Sequence, residues 1–473
     1  TSNPTLHNFE PRIGFAWDPR GNGKMAVRGG FAIFDVLPLP GYYFSQAWAP
    51  FFLATTLADK TTLAGVLGIP PTTPGGTPNP GSAYSIFATP QAGCPVGNCT
   101  LTASYTEPNP KRNYVQQWNI NFQRQITPTL TATIGYVGSR GVHQLIRGDD
   151  FNMVVPTKTS AGWLWPKNTT KQNQINPDFG TIRGLSWGTS SSYEAVQLGV
   201  QKRMSHGLQF GGSYTYGKSK DSDSGTILGD AFSNSITTWF WFDPSISWGP
   251  SDYNITHNAA INAIWDIPGP KSLHGVGGAL ANGWEIASIL KLNSGIPTTP
   301  IINDDAMGVR NAGSDGFGLP DRVPGCDPIN HNYKSDPNLT YINTKCFTVP
   351  MAPSDPALAS QCRAFSGVTG SCANLLGNVG RNSITGPGLV NLDLSLYKNF
   401  SLRKISESAS VQFRVEFFNI LNRANFGAPL DFQGGKTAQI LDVGTGLSTG
   451  LGGLAGPTVT KPREGQLALK VIW

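Results

Sequence analysis

The chain has 473 residues and a formal net charge of +6, from 35 basic and 29 acidic side chains. Only 14% of its residues are charged, against roughly 25% in an ordinary soluble domain. Its 56 Gly, 36 Pro and lack of a Gly-X-Y period exclude coiled coil and collagen, and its 12 Trp, 13 Tyr and 24 Phe argue against wholesale disorder.

No apolar stretch reaches the roughly 18 residues of a spanning helix. The basic residues are scattered without a run of five, which points away from nucleic acid. The chain starts at Thr1 with neither an initiator Met nor a signal-peptide pattern, so a piece of a longer or processed chain is expected.

The dominant pattern is period two, which sends alternate side chains to opposite faces of a pleated strand. It opens with Ile13, Phe15 and Trp17 against Arg12, Gly14 and Ala16. After a turn, Met25, Val27, Phe31 and Ile33 oppose Ala26, Arg28 and Gly30. Next, Trp118, Ile120 and Phe122 oppose Gln117, Asn119, Asn121 and Gln123, and Leu130, Ala132, Ile134 and Tyr136 oppose Thr129, Thr131 and Thr133. The pattern recurs around Val196–Val200, Leu208–Tyr216, Ala259–Trp265, Trp284–Leu292, Leu392–Leu396 and Val411–Phe417. It ends on Leu467, Leu469, Val471 and Trp473. The strands read as about 9 to 12 residues, enough to cross a bilayer at a tilt and longer than the average soluble strand.

Short turns alternate with very long connections, at about 37–112, 141–191, 218–257 and 294–388, rich in Gly, Pro, Ser, Thr and Asn. Aromatic residues gather near strand ends. Together these features predict an all-β fold, a transmembrane antiparallel β-barrel with long outer loops and an aromatic girdle, in preference to a soluble sandwich. Backbone groups in hydrocarbon have no water to bond, so only a closed ladder satisfies them. Ten to twelve strands are expected.

Six cysteines fall in loop-like sequence as close neighbours: Cys94 with Cys99, Cys326 with Cys346 and Cys362 with Cys372. No Cys-x-x-Cys spacing occurs, so local disulfides in an oxidising compartment are expected rather than zinc.

Several segments resemble the carboxyl-terminal barrel of TonB-dependent outer-membrane receptors of the Oar-like group. They include Asn-Phe-Glu-Pro-Arg-Ile-Gly-Phe-Ala-Trp-Asp at 8–18, Tyr-Val-Gln-Gln-Trp-Asn at 114–119, Gly-Tyr-Val-Gly-Ser-Arg-Gly at 135–141 and Gln-Phe-Arg-Val-Glu-Phe-Phe-Asn at 412–419. Residues 26–34, 192–197, 213–219 and the last eight belong to the same set.

The resemblance implies a Gram-negative-type cell outer membrane and import of a large nutrient of the siderophore, oligosaccharide or peptide class. It implies a barrel of about 22 strands with a plugged lumen, of which residues 1–473 form a carboxyl-terminal part. A plug, an N-terminal carboxypeptidase-regulatory-like domain and a box that contacts the TonB complex belong to the family pattern and are not visible here. Leu467, Leu469, Val471 and Trp473 would carry the signal for the barrel-assembly machinery, with outer-membrane lipid around the wall. The alternatives are a non-transporting surface protein or adhesin with disulfide-pinned loops, and a secreted carbohydrate-binding β protein.

Arg12, Arg28, Arg124, Arg203, Glu194, Arg414 and Glu416 are expected to face the lumen in salt-bridged networks that hold a plug or line a wet interior. The loop aromatics Trp163, Trp165, Trp187, Trp239 and Trp241, with Phe240 and Phe242, are either ligand-stacking platforms or a cluster that closes the loops.

No enzyme is expected. Gly-x-Ser-x-Gly at 184–188 and 446–450 sits in loop-like sequence with no helix following, and the Lys436-Thr437 pair lacks a Gly at position 430 for a phosphate loop. No cofactor or resident metal is assigned. Asn303, Asp304, Asp305, Asp315 and Asp321, and more weakly Asp221 and Asp223, read as solvated acids with calcium as the lesser reading.

Overall fold

The computed structural model describes residues 8–37, 52–54, 100–148, 150–177, 182–225, 240–302, 318–402, 409–429, 439–441 and 452–472. Eleven main strands form one antiparallel meander: β1 (Arg12–Trp17), β2 (Met25–Asp35), β3 (Tyr114–Thr127), β4 (Leu130–Gly148), β5 (Ile182–Ser205), β6 (Leu208–Asp221), β7 (His257–Ile267), β8 (Trp284–Asn293), β9 (Leu389–Ser401), β10 (Ser410–Phe418) and β11 (Glu464–Ile472). Each pairs with its neighbours in chain order. Short strands at Phe52–Ala54, Thr100–Thr106 and Gly249–Pro250 join the upper part of the sheet. Among the described residues β1 and β11 each have a single partner, so the ladder carries two outer edges.

Register carries the alternation across all eleven strands. Ile13 lies opposite Phe31, Phe31 opposite Trp118, and Ile120 opposite Tyr136. The same face continues through Tyr136–Val196, Val196–Tyr216, Ile261–Leu290, Leu290–Leu392, Leu396–Val415 and Val415–Leu467. This apolar face is not covered by a second layer. Ile13, Ile120, Ile134, Leu198, Ile261, Leu467 and Leu469 are all exposed. An uncovered apolar surface spanning eleven strands far exceeds the few hundred Å² that a water-soluble monomer exposes, and it assigns this face to hydrocarbon.

The turn end is built from local chemistry. Between β5 and β6 the connection is only His206 and Gly207, both with positive φ (53° and 74°), as a two-residue hairpin turn requires. The Lys202 ammonium donates to the carbonyls of Ser205 (2.9 Å) and Leu208 (2.7 Å) and locks that turn. Between β1 and β2, the Asp18 carboxylate accepts the backbone N–H groups of Gly23 and Arg20, and the Gly23 bond leads in holding its pKa below the usual range. At the other end, Trp118 lies opposite Gly138, where a Cβ would sit 2.4 Å from the indole. The ring therefore needs the missing side chain, which couples the 114–119 and 135–141 segments.

Two expectations change. Strands β3 to β6 run to 14, 19, 24 and 14 residues, beyond the 9 to 12 read from alternation. The apolar rows stop near Tyr136 and Val196, but ladder pairing continues above them through Ser190, Ser191 and Ser192, which give no periodic signal. The connection between β10 and β11 (419–463) is a fifth long loop.

The face assignment makes a prediction. Leu394→Arg, in the middle of the apolar rows, should cost about 2–4 kcal/mol in lipid, whereas Ser395→Arg on the opposite face should cost almost nothing. Urea unfolding of each variant in phosphatidylcholine vesicles measures the pair, and equal losses would contradict the assignment.

Candidate functional site

The polar face holds most of the expected charges, in two patches. On β1 to β3, Arg28 donates to Gln123 Oε1 (2.8 Å), and Arg12 pairs with Glu10 (3.1 Å) while its guanidinium lies over the Phe34 ring. On β9 to β11, Arg414 donates to Gln412 Oε1 (2.6 Å), and Glu416 accepts from Gln466 Nε2 (3.0 Å) and the Tyr397 hydroxyl (3.4 Å). Amides, rather than the expected salt bridges, satisfy most of these charges. Side-chain amides offer both donor and acceptor, so they bond either Arg or Glu, and being uncharged they leave the charges in place on a wet, polar wall. Between the patches, Gln123, Thr131, Thr133, Gln201, Arg203 and Gln209 border a groove of about 450 Å³.

Arg124 and Glu194 correct the sequence reading. Arg124 lies opposite Met25 and Ala132, and Glu194 opposite Gly138 and Lys218, so both belong to the apolar face. Each sits at a margin of that face, Arg124 beyond Phe122 and Glu194 beyond Val196. There a long side chain can bring its charge to interfacial water.

The long loops fold together at the opposite end from the turns, and here lies the molecule's packed core. One cluster joins Met153, Val154, Trp165, Phe240, Ile301 and Leu319; another centres on Ile302, Tyr341, Ile342, Phe347 and Ile440. Trp165 is 1% exposed, its indole N–H donates to the Val154 carbonyl (2.8 Å), and its own carbonyl accepts from Asn374 Nδ2 (2.7 Å). Trp187 packs with Leu145 and Leu185 and is 5% exposed. Such burial leaves neither ring a face for a ligand, so Trp165 and Trp187 are cap core rather than platforms. Trp163 meets Phe242 edge-on at 5.3 Å, and Trp241 stacks on Phe151 at 5.1 Å. Trp239 lies outside the described residues.

Disulfides Cys326–Cys346 and Cys362–Cys372 pin the 318–388 segment, with Cα separations of 5.3 and 4.8 Å. Each closes a short loop and removes roughly 3 kcal/mol of chain entropy from the unfolded state on the loop-entropy model. Cys94 and Cys99 lie outside the described residues, as do Asn303, Asp304, Asp305, Asp315, Trp473 and the 446–450 motif.

The residue that sequence reasoning missed is Arg381. Its buried guanidinium donates to Asp221 Oδ1 (2.7 Å), Asp252 Oδ1 (2.6 Å), Ser224 Oγ (2.7 Å) and the Asp221 carbonyl (3.0 Å). Asn382 adds bonds to Asp252 Oδ1 (2.7 Å) and the Pro250 carbonyl (2.8 Å). Burial alone would lower the Arg381 pKa, but the Asp252 and Asp221 carboxylates outweigh it and raise the value. Asp221 is therefore a buried ion-pair partner at the end of β6, not a solvated loop acid. Asp321 accepts the Asn378 N–H (2.9 Å), and its pKa is raised by burial. Residues 184–188 lie within β5 rather than in a loop, and no helix follows them, so no nucleophile turn forms.

Two predictions concern this cap. Arg381→Met strands two buried carboxylates and should destabilise it by about 3–5 kcal/mol. Limited proteolysis should then cut within 222–256 and 371–388 while the ladder stays intact; wild-type resistance would contradict the role. The Tyr341 hydroxyl donates to the Thr385 carbonyl (2.8 Å), and burial, followed by Tyr333 and Asp327, pushes its pKa from 10.0 up to about 12. The fold favours the neutral phenol, so this contribution is complete below pH 10 and is lost as pH rises towards 12. Alkaline titration should expose the cap to protease in that window, and Tyr341→Phe should remove the step.

A family model described as "Outer membrane beta barrel domain" matches residues 1–452. No curated protein matches the chain. Similar solved structures include the outer membrane transporter YddB from Escherichia coli, at 9% identity and a TM-score of 0.44, with 98% of this chain and 41% of that one covered. The ferric preacinetobactin receptor BauA from Acinetobacter baumannii gives 9%, 0.36, 98% and 36%, and the FrpB iron transporter of Neisseria meningitidis (F3-3 variant) 9%, 0.38, 98% and 39%. The chain thus spans about two fifths of the length of these structures. With an uncovered apolar wall, a wet opposite face and a family match over nearly its whole length, the chain belongs to the outer-membrane β-barrel domain family.

Proposed function

We propose that the chain forms a carboxyl-terminal portion of the wall and cap of a TonB-dependent outer-membrane transporter of the Oar-like group. In this reading it imports a large nutrient of the siderophore, oligosaccharide or peptide class. The observation that carries the reading is the combination of a continuous eleven-strand wall with two outer edges and a deep, packed loop cap. In hydrocarbon both edges need partners. Eleven strands supply about half of a 22-strand plugged barrel. The amide-rich patches around Arg12, Arg28, Arg414 and Glu416 would seat a plug encoded elsewhere in the protein, beside a carboxypeptidase-regulatory-like domain and a TonB-contacting segment. In β11, Leu467, Leu469 and Val471 lie on the apolar face, where the assembly machinery would meet them; Trp473 completes that signal.

The second reading is a surface protein or adhesin that displays its disulfide-pinned loops without transport. One experiment separates the two. Gram-negative cells producing the protein are offered ferric siderophores, oligosaccharides and peptides with and without a protonophore. A transporter should accumulate one class, with loss of accumulation when the inner membrane is de-energised. Cell-surface binding without energy-dependent uptake would overturn the transport reading in favour of display.

A further inference from the structure

A groove of about 940 Å³ lies where the cap meets the apolar wall. Its floor is a single register row: Tyr214 opposite Ala259, Ala259 opposite Leu292, and Leu292 opposite Val390. All four belong to the hydrocarbon-facing set, so the groove opens on the outside of the wall rather than into the polar interior. Its roof is the segment around Tyr333 and Lys334, inside the loop closed by Cys326–Cys346, together with Arg423.

Height decides which part of the bilayer this groove meets. From Trp284 opposite Lys398, near the turns, the outward row of β8 climbs through Ile286, Ser288 and Leu290 to Leu292. Those four two-residue steps span about 27 Å along the strand. At a tilt of about 35–45° they rise roughly 20 Å, close to the full height of the apolar band of an outer-membrane barrel. On β7 to β9 the floor row is therefore the last apolar row before the loops, level with the headgroups of the outer leaflet.

Charge decides what occupies it. Lys334 and Arg423 lie close enough for Arg423 to add to the burial that lowers the Lys334 pKa. The Lys334 ammonium donates to the Ala424 carbonyl (2.9 Å) and sits over the rings of Tyr333 and Phe426. Among the described residues neither cation has a carboxylate within 4.0 Å; His331, which also lines the groove, pairs with Asp327 (3.1 Å), and Arg381 takes Asp221 and Asp252. Two neighbouring, un-neutralised cations above an apolar floor match an amphiphile with an anionic head.

We propose that this groove binds the phosphate headgroup of an outer-leaflet lipid, held between Lys334 and Arg423, with its acyl chains lying down the outward rows below Leu292 and Val390. The site rests on the face assignment and not on transport. Its role is to anchor the disulfide-pinned loop to the membrane surface.

The test uses the protein purified in detergent and titrated with phosphatidic acid, with bound lipid counted by native mass spectrometry. The Lys334→Gln, Arg423→Gln double variant should bind at least about tenfold more weakly, the loss of one or two charge-assisted hydrogen bonds. Lys345→Gln, which removes a cation from the same disulfide loop but not from the groove, should bind as the wild type does. Ala259→Trp, which fills the floor and leaves both cations in place, should also weaken binding. Unchanged affinity in both groove variants would overturn the proposal. So would displacement of the lipid by equimolar inorganic phosphate, which would mark a site for a soluble anion.

Discussion

The constraint on which the structure depends is the backbone in hydrocarbon. An N–H or C=O that finds no partner there costs several kcal/mol, and water is not available to supply one. The antiparallel ladder meets that demand sideways, strand by strand, in chain order. Chain-order pairing in turn explains the hairpin turns at one end, since antiparallel neighbours need only a few residues to reverse. Lys202 at the His206–Gly207 turn and Asp18 at the first turn are local devices that hold the reversal.

The same constraint moves the core. In a water-soluble sheet protein the apolar faces would pack on one another, but here they face outward with no second layer against them. Side-chain packing is left to the loops, where Trp165, Phe240, Ile301, Ile342 and Phe347 are buried. Long loops so rich in Gly, Pro and Ser need fixed points. Two disulfides pin short loops locally, and the Arg381 pairs tie the top of β6 to a segment far along the chain. The cap is thus a small folded body standing on a wall.

Where wall and cap meet, their chemistries combine. The polar face uses amides to hold Arg28, Arg414 and Glu416 in place, as suits a wet, polar wall. On β7 to β9 the outward apolar face ends at the Ala259–Leu292–Val390 row, and there the overhanging loops add cations to an apolar surface. A boundary of this kind exists only because the loops fold back over the strands that bear them.

Much of the wall was legible from sequence because a pleated strand sends neighbouring side chains to opposite faces whatever surrounds it. Ile13, Trp118, Leu290 and Leu467 announce their common face through nearest neighbours alone. Charge without parity misleads, as Arg124 and Glu194 show, because a charged residue at a strand margin does not have to face the interior. The disulfide neighbours Cys326–Cys346 and Cys362–Cys372 were legible for the same local reason, their short separation. The cap was not. Arg381 meets Asp221 and Asp252 from 160 and 129 residues away, and the groove joins four strands to two loops. No period or motif encodes contacts that arise only when separate segments converge in space, so the wall was determined by the sequence and the cap, with its charges and its burial, by the tertiary fold.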